Sequence, residues 1–456
     1  MNNEAVFPRN FLKSYPQATR AEGCFIYTAE GRRYLDASGG AAVVTIGHGV
    51  EEVARAMAEQ AARLAYVHSS QFHTAVVEKL AERILALAPE PMRRNGRVYF
   101  TSGGSEATET AIKLARQYWL ERGKPKRARV IARRQSYHGA TIGALSLSGN
   151  VRRREPFAPL LAEWGHIAPC YCCRCPFELR YPECNVDCAD DLDRLLACDG
   201  ADDVAAFIFE PVPGATLGAA APPDGYVQRI AEICRRRDIL LIADEIMTGM
   251  GRTGKPFAVQ HWGVAPDMIL VGKGIASGYA PLGGVIVTGQ VVEALSGGSG
   301  AFLHGFTYSF HPVAAAAGNA VLDYIEREHL FERVESAGQG LRAALEALKR
   351  FSVVGDVRGM GLLCGIELVR DAATREPFPP DARIAPRLAE DIFELGAMTY
   401  PIQGCADGQR GDHILLAPPF TITSGMIQML GSALEHAVAE FEKTHRASTG
   451  GSSALV

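Results

Sequence analysis

Two charged side chains in this sequence each close an apolar, strand-like run. Asp244 ends the run in Leu-Leu-Ile-Ala-Asp-Glu-Ile (240–246), and Lys273 ends the run in Asp-Met-Ile-Leu-Val-Gly-Lys-Gly (267–274). A doubly wound parallel sheet opens its ligand crevice at the carboxyl ends of its strands. The two positions therefore predict that one amine and one carboxylate face the same cleft.

An amine and an acid in one cleft suit the chemistry of pyridoxal phosphate. A partly desolvated lysine has a depressed pKa and becomes a nucleophile that can form an imine, and Gly274 and Gly278 leave room for a planar cofactor. A carboxylate in a cleft is costly unless it meets a cation, and a protonated pyridine nitrogen would be that cation. Taken alone, Lys273 could equally point into solvent, and Asp244 could cap a helix or end a surface strand.

The turn Thr-Ser-Gly-Gly-Ser-Glu-Ala (101–107) has the composition of a phosphate site. Glycines let the backbone approach a phosphate closely, and the start of a helix supplies free amide donors at its positive dipole end. Ser105 can add a hydroxyl donor. An N-capped helix after a tight turn explains the same residues, so this turn is informative only together with the amine and the acid.

Strands that alternate with helices predict an α/β fold with a mainly parallel, doubly wound sheet. The apolar periodicity predicts strands at 97–101, 129–132, 204–210, 239–244, 268–272 and 283–288, and helices at 51–65, 75–88, 105–120 and 226–237. Beyond about residue 305 the pattern predicts a smaller α+β module, with helices at 312–327, 331–350, 384–395 and 424–443 and strands at 353–357, 361–368 and 413–416.

These patterns divide the chain into four parts. We expect an N-terminal segment (1–55) that packs with the small domain, a large cofactor-binding domain (56–305), a C-terminal small domain (306–443) and a flexible tail (444–456).

Composition excludes several classes of function. Lys and Arg total 47 against 51 Asp and Glu, a net charge of −4, so nothing favours binding to nucleic acid or to an anionic membrane. No apolar run reaches the length of a membrane-spanning helix, and the amino terminus lacks the regions of a signal peptide. These features predict a cytoplasmic, reducing location.

Six of the 11 cysteines crowd into an insertion at 170–188. The spacing of four of them is compatible with a tetrahedral zinc site formed by Cys172, Cys175, Cys184 and Cys188. The alternative is a reduced insertion without metal, and disulfides are disfavoured in a reducing compartment.

Six motifs in order resemble those of the class III aminotransferases, the group of pyridoxal phosphate enzymes with fold type I that includes the ω-transaminases. The motifs are Ser-Gly-Gly-Ser-Glu-Ala (102–107), Ser-Tyr-His-Gly (136–139), Glu-Pro-Val (210–212), Asp-Glu-Ile-Met-Thr-Gly-Met-Gly-Arg-Thr-Gly (244–254), Gly-Lys-Gly (272–274) and Phe-Thr-Tyr-Ser-Phe-His-Pro (306–312). The resemblance covers about residues 10–443 and implies pyridoxal 5′-phosphate as the cofactor.

The resemblance also implies two catalytic roles. Lys273 would hold the cofactor as an imine and then carry the proton between the substrate and the cofactor. Asp244 would pair with the pyridinium nitrogen and keep the ring an electron sink.

Further cofactor contacts follow from the same resemblance. Tyr137 would stack on one face of the ring with Ile246 on the other, Glu210 would lie near the cofactor hydroxyl, and Gly104 and Ser105 would bind the phosphate. His138, beside the stacking tyrosine, would also belong to the cofactor site, and Thr307 would reach the phosphate of the other subunit in a homodimer with shared sites. Packing against the sheet is the alternative for Tyr137 and His138, and a helix cap is the alternative for Thr307.

The substrate pocket is less well defined by sequence. Similarity to the family places Gly40 and Tyr66 at the rim. Arg410 lies near the position of a family arginine that binds substrate carboxylates, but it directly precedes Gly411, so a solvent-facing loop arginine is the alternative.

The leading functional hypothesis is an aminotransferase that moves an amino group from an amine or amino acid to a 2-oxo acid such as pyruvate by a ping-pong mechanism. A second hypothesis keeps the cofactor but changes the reaction to that of a racemase, aminomutase, decarboxylating transaminase or phospho-lyase. A third is a cofactor-binding subunit without catalysis, which would have no need of both Lys273 and Asp244.

Overall fold

The fold is seen in a computed structural model that describes residues 5–450, with side chains described for residues 5–445. The N-terminal part of the chain contains a small meander and a helical layer. Its elements are β1 Ala18–Glu22, β2 Phe25–Thr28, β3 Arg33–Asp36, α1 Gly39–Ala42, α2 Glu51–Arg63, α3 Ala75–Leu87 and α4 Glu90–Asn95.

The central part of the chain alternates strands and helices. Its elements are β4 Arg97–Thr101, α5 Gly104–Glu121, β5 Arg129–Arg133, α6 Ile142–Leu147, α7 Val151–Arg154, β6 His166–Ile167, α8 Asp187–Asp199, β7 Val204–Phe209, α9 Tyr226–Arg236, β8 Leu240–Asp244, β9 Met268–Val271, β10 Gly283–Val287 and α10 Gly289–Gly297. Strands β7, β8, β9 and β10 are buried at every position. Their sequences are therefore continuous apolar runs and do not alternate between apolar and polar residues.

These strands form one seven-stranded sheet in the order β4-β10-β9-β8-β7-β5-β6. Strand β10 is antiparallel to both of its neighbours, and the other pairs, β9-β8, β8-β7, β7-β5 and β5-β6, are parallel. Since β4 runs opposite to β10, it points the same way as the parallel strands. The carboxyl end of β4 therefore lies at the same edge of the sheet as those of β7, β8 and β9.

The C-terminal part of the chain combines helices with an antiparallel sheet, an α+β arrangement. It contains α11 Pro312–Arg327, α12 Leu330–Glu346, β11 Val354–Met360, β12 Leu363–Leu368, α13 Ile384–Glu394, β13 Ala397–Met398, β14 Tyr400–Gln403, β15 Asp412–Leu416 and α14 Ser424–Gly450. Strands β11, β12, β15 and β14 form an antiparallel sheet, while β13 pairs with β3 and joins the N-terminal meander.

The sequence-based prediction of the α/β fold and of its mainly parallel sheet is confirmed. The final helix runs to Gly450 and so includes residues 444–450 of the segment expected to be a flexible tail. The rest of the predicted tail, 451–456, lies outside the described residues. The elements that were not predicted are brief or lie in polar sequence; they are strands β1 to β3, β6, β13 and β14 and helices α1, α4, α6, α7, α8 and α10.

One buried arginine ties the three parts of the chain together. The guanidinium of Arg252 donates hydrogen bonds to the carbonyl oxygens of Val44 (3.1 Å), Leu362 (3.2 Å) and Pro418. Burial lowers its pKa to about 9, and the nearby charge of Asp36 opposes this shift only in part. These bonds join segments that are far apart in sequence at the side of the cleft that holds Lys273.

Candidate active site

The carboxyl edge of the large sheet brings the predicted site residues together. The turn 102–105 follows β4, Tyr137 and His138 follow β5, and Glu210 follows β7. Asp244 is the last residue of β8, and Lys273 begins the short turn after β9. Parallel strands thus deliver one amine, two carboxylates and a helix start to a single edge.

Lys273 occupies an unusual backbone conformation in a partly buried position. Its φ of 46° lies in the left-handed region, which is costly for a residue with a side chain. Residues strained in this way are found mainly at functional sites. Burial lowers the pKa of its amine to about 8, although the nearby charges of Asp244 and Glu210 act in the opposite direction. The amine is therefore neutral over a much wider pH range than an exposed lysine.

Asp244 is held by two donors inside the protein. His138 Nδ1 lies 2.7 Å from one carboxylate oxygen, Oδ2, and the backbone amide of Ile246 donates to the other, Oδ1, at 3.2 Å. Both Asp244 and His138 are buried. The other ring nitrogen of this histidine, Nε2, has no hydrogen-bond partner in the described part of the chain. An acid fixed in this way suits a partner that brings its own positive charge.

His138 is itself positioned through its backbone. Its amide donates to Ser148 Oγ at 2.9 Å, and its carbonyl oxygen accepts a bond from Thr108 Oγ1 at 2.7 Å. Thr108 lies on α5, so the helix that begins at the glycine turn also fixes the histidine behind the acid.

Glu210 is buried close to Tyr137. Its Oε1 accepts a hydrogen bond from the Tyr137 amide at 3.0 Å, and its backbone carbonyl accepts one from the Arg133 guanidinium. Burial is the main cause that raises the pKa of the Glu210 carboxyl. The acid therefore sets the position of the tyrosine expected to stack on the cofactor.

The start of α5 fits a phosphate group. No side chain caps this helix, so its first amides are free to bind an anion. Ser105 Oγ accepts a bond from the Ala140 amide at 3.0 Å and can still donate its own proton. Glycine at 104 lets Ile246 pack closely on the turn, because a Cβ there would lie 2.8 Å from Ile246 Cδ1. The free helix start, the acid, the lysine and this close packing fit pyridoxal phosphate.

Arg153 is a residue of the site that sequence reasoning missed. Its guanidinium carbon lies 4.3 Å from the centre of the Tyr137 ring, and its NH2 group lies 3.4 Å from the Tyr400 hydroxyl. In the sequence it is the middle of Arg-Arg-Arg (152–154), which resembles an ordinary solvated run of charge. Arg153 is 16 positions from Tyr137 in the sequence, so their contact cannot be recognised without the fold.

The residues predicted for the pocket rim lie at the surface of the single chain. Gly40 is exposed, and a Cβ built there would meet nothing within 4 Å. The Tyr66 hydroxyl donates to the carbonyl oxygen of Thr307 at 2.8 Å, and both residues are exposed. Arg410 pairs with Asp407 of its own loop at 2.6 Å, with 56% of its side chain exposed. The structure thus holds Arg410 in the solvent-facing alternative.

The cysteine-rich insertion does not form the predicted zinc site. Within residues 5–450, no group of three or more Cys, His, Asp or Glu side chains is arranged to hold a metal ion, and all the cysteines are free thiols. The insertion packs on the C-terminal sheet instead: Arg174 Nε lies 2.7 Å from Glu367 Oε1, and the Cys173 carbonyl accepts a bond from Arg375 at 2.6 Å.

Comparisons with known proteins agree with the geometry. Residues 7–438 match the family described as aminotransferase class-III. The uncharacterized aminotransferase YodT of Bacillus subtilis is 38% identical over 431 residues, covering 94% of this chain and 96% of that protein. The putrescine–pyruvate aminotransferase of Pseudomonas aeruginosa is 37% identical over 415 residues, covering 90% and 88%.

A solved structure gives the same relationship. The crystal structure of an (S)-enantioselective ω-transaminase from Thermomicrobium roseum superposes with a TM-score of 0.89 at 38% identity, covering 96% of each chain. No helix among residues 5–450 combines the length and the apolar character needed to cross a bilayer.

Proposed function

Because this chain belongs to the class III aminotransferase family, whose members depend on pyridoxal phosphate, we propose that it transfers an amino group from an amine or amino acid to a 2-oxo acid. The transfer runs by a ping-pong mechanism, and pyruvate is the acceptor proposed. A relative that is 37% identical and named a putrescine–pyruvate aminotransferase supports that acceptor. The observation that carries the proposal is the convergence of the Lys273 amine and the buried Asp244 carboxylate at one sheet edge.

The cofactor and the protein divide the chemistry between them. When bound, pyridoxal phosphate supplies a carbonyl carbon that takes up the amino group and an electron-withdrawing ring that stabilises the negative charge left on the substrate. Lys273 and Asp244 are the groups that would act on these two features. The remaining residues orient them and exclude water.

Lys273 is the nucleophile and the proton carrier. Its pKa of about 8 leaves about a tenth of the amine neutral at pH 7, far more than for an exposed lysine, so Nζ can attack a carbonyl carbon. As a free amine, the same Nζ would take the proton from the substrate α-carbon and return it. The pKa is low because the amine is buried, so the reactivity of Lys273 follows from its position in the site.

Asp244 would hold the ring nitrogen in its protonated state. His138 lies 2.7 Å behind its Oδ2 and, with the proton on Nδ1, donates a hydrogen bond that fixes the orientation of the carboxylate. The Ile246 amide holds the other oxygen. The acid therefore needs no rearrangement when it meets a cation, which is the condition for strong electrostatic stabilisation.

The other residues would bind and align the cofactor. Tyr137, fixed by Glu210, would stack on one face of the ring, and Ile246, packed against Gly104, would cover the other. The amides at the start of α5 and the Ser105 hydroxyl would bind the phosphate.

A homodimer with shared sites is also part of the proposal. Thr307 lies on a surface that is apolar as well as exposed, since Leu303 is 86% and Tyr308 is 60% accessible in the single chain. Large apolar side chains that cluster at a surface favour a protein partner. A second copy placed on this surface would bring Thr307 to the phosphate of its partner.

The test is a panel of donors against two acceptors. We expect the purified holoenzyme to convert pyruvate to alanine in proportion to the carbonyl product of the donor, with 2-oxoglutarate as the comparison acceptor. Lys273→Ala should abolish turnover and the absorbance of the lysine-bound cofactor. Lys255→Ala, at an exposed lysine, should leave both unchanged.

The outcomes separate the alternatives. A racemase, aminomutase, decarboxylating transaminase or phospho-lyase would consume substrate without making a stoichiometric new amine from the added oxo acid. Turnover retained by Lys273→Ala would contradict the assignment of the nucleophile.

A further inference from the structure

We propose that Arg153 is the residue that binds the carboxylate of the amino acid donor and of the 2-oxo acid acceptor. The inference rests on the proposed aminotransferase function and names the anionic group of its substrates. Its basis is the position of Arg153 between Tyr137 and Tyr400, together with the donors that this position leaves free.

The position of Arg153 is set by contacts with its own helix cap and with Tyr137. It belongs to α7, whose N-cap Asn150 accepts a hydrogen bond from the Arg153 amide at 3.0 Å. Its guanidinium lies over Tyr137, whose own amide is held by Glu210. The positive charge of Arg153 therefore lies next to Tyr137, which Glu210 holds in place for the cofactor ring.

The charge of Arg153 acts within the cleft. It is one of the two arginines whose positive charge contributes to the lowered pKa of Lys273. The other, Arg252, is buried and spends its hydrogen bonds on three backbone carbonyls. Arg153 is therefore the arginine near the lysine that still has donors to offer.

The contacts of Arg153 leave most of its hydrogen-bonding capacity unused. Within residues 5–445 its guanidinium makes one hydrogen bond, to the Tyr400 hydroxyl, and no ion pair with an Asp or Glu. The guanidinium carbon lies 4.3 Å from the centre of the Tyr137 ring, and a cation–π contact of this kind uses none of the N–H donors. The free edge has the fork geometry that binds a carboxylate through two parallel hydrogen bonds.

A carboxylate is the anion that best matches this position. The cofactor phosphate has its own donors at the start of α5, at the end of a different strand. A 2-oxo acid must bring its carboxylate to the cleft in each cycle, next to the carbon that receives the amine. Arg410, the other candidate, pairs with Asp407 and faces solvent. Arg154, the next residue of the same helix, is already engaged by the carbonyl oxygens of Ser146 and Ser148.

The experiment compares substrates that carry a carboxylate with one that does not. The variants are Arg153→Met, Arg153→Lys, the control Arg152→Met at the adjacent exposed arginine, and the rival Arg410→Met. KM is measured for pyruvate and for putrescine, a donor without a carboxylate. Calorimetry measures the binding of oxamate, an unreactive isostere of pyruvate, to each holoenzyme, so that binding is read without turnover.

We expect Arg153→Met to raise the KM for pyruvate and to weaken oxamate binding about 10- to 100-fold, the range for loss of a charged hydrogen-bonding partner. KM for putrescine should change by less than about threefold, because that donor makes no carboxylate contact. Arg153→Lys keeps the charge without the fork and should fall between wild type and Arg153→Met. Arg152→Met and Arg410→Met should bind oxamate as the wild type does.

Two results would overturn the inference. Loss of oxamate binding in Arg410→Met but not in Arg153→Met would assign the carboxylate to the loop arginine. An equal rise in KM for pyruvate and putrescine in Arg153→Met would mean that Arg153 only positions Tyr137. If Arg153→Met does not fold, Arg153→Lys decides by the same criteria. Oxamate binding that depends on Arg153 in a protein without transaminase activity would overturn the proposed reaction alone.

Discussion

His138 Nδ1 lies 2.7 Å from Asp244 Oδ2, and both side chains are almost completely buried. The contact makes the histidine the support of the acid expected to face the cofactor ring. A buried carboxylate is costly unless it is hydrogen-bonded and meets a cation. The pair therefore couples cofactor binding to the Asp244 carboxylate, because the ring nitrogen would be that cation.

Replacing Asp244 by Asn tests this coupling. The amide keeps the size and can still contact His138, but it cannot hold a ring nitrogen protonated. We expect kcat to fall by about 100-fold or more, which is the scale for losing one preorganised electrostatic group. Stopped-flow measurement of each half-reaction checks this, and the far-UV circular dichroism should stay that of the wild type. A variant with near-normal kcat would remove Asp244 from the catalytic residues.

The histidine should matter less than the acid, and in a different way. His138→Gln retains a donor of shorter reach, so the carboxylate keeps its charge but loses part of its orientation. We expect about a 10-fold weaker affinity for pyridoxal phosphate, the lower end for an outer residue that orients a ligand group. Equilibrium dialysis measures the affinity. A loss of kcat as large as that of Asp244→Asn would instead make the histidine part of the chemistry.

The pH dependence of cofactor capture follows from Lys273. Its pKa of about 8 in the folded protein is below its ordinary value of 10.5, so the neutral amine appears as the pH rises through 8. The rate at which the apoprotein binds pyridoxal phosphate should rise with pH and level off above about pH 8 to 9. Stopped-flow absorbance gives this profile. A midpoint near 10.5 would contradict the effect of burial.

The same shift makes a prediction for the stability of the apoprotein. Between about pH 8 and 10.5 the unfolded chain binds more protons at this lysine than the folded protein does, so the free energy of unfolding rises with pH across that interval. Below about pH 8 the destabilisation from burying a charged amine is fully present. Lys273→Met should remove this contribution, so the difference between variant and wild type in denaturant unfolding should shrink from pH 7.5 to pH 10.

The sequence predicted strands β7, β8 and β9 well, because each is an apolar run that ends at, or is followed by, a charged or glycine residue. Asp244 and Lys273 could be found in this way, since a parallel sheet converts chain order into a common edge. The contact of His138 with Asp244 could not be predicted, because the two residues lie in different segments of the chain, one after β5 and the other at the end of β8. Arg153 was missed for the same reason, and the zinc site was wrongly suggested because cysteine spacing does not specify how the thiols are arranged in space.

Close packing at Gly104 gives a prediction with a neighbouring control. A Cβ at 104 would lie 2.8 Å from Ile246 Cδ1, whereas a Cβ at Gly103 would meet nothing within 4 Å. Gly104→Ala should therefore displace Ile246 and weaken pyridoxal phosphate binding, by an overpacking cost of about 1–3 kcal/mol. Gly103→Ala should bind nearly normally. The double variant Gly104→Ala with Ile246→Val should recover part of the affinity measured by dialysis, and no recovery would mean that the backbone, not Ile246, is displaced.

Subunit mixing tests whether Thr307 serves the site of a partner. A carboxylate at this position would repel the cofactor phosphate, so Thr307→Asp should be inactive, as should Lys273→Ala. If each site takes Lys273 from one chain and Thr307 from the other, a mixed dimer of the two variants holds one site in which both residues are intact. Activity should therefore appear when the two inactive proteins exchange subunits. The control mixture of Lys273→Ala with Asp244→Asn should show only the summed activities of the two variants. Each site takes Lys273 and Asp244 from the same chain, so no mixed dimer has a site with both residues intact. If the Thr307→Asp mixture also shows no gain, although native mass spectrometry detects the mixed dimer, then Thr307 acts within its own chain or not at all.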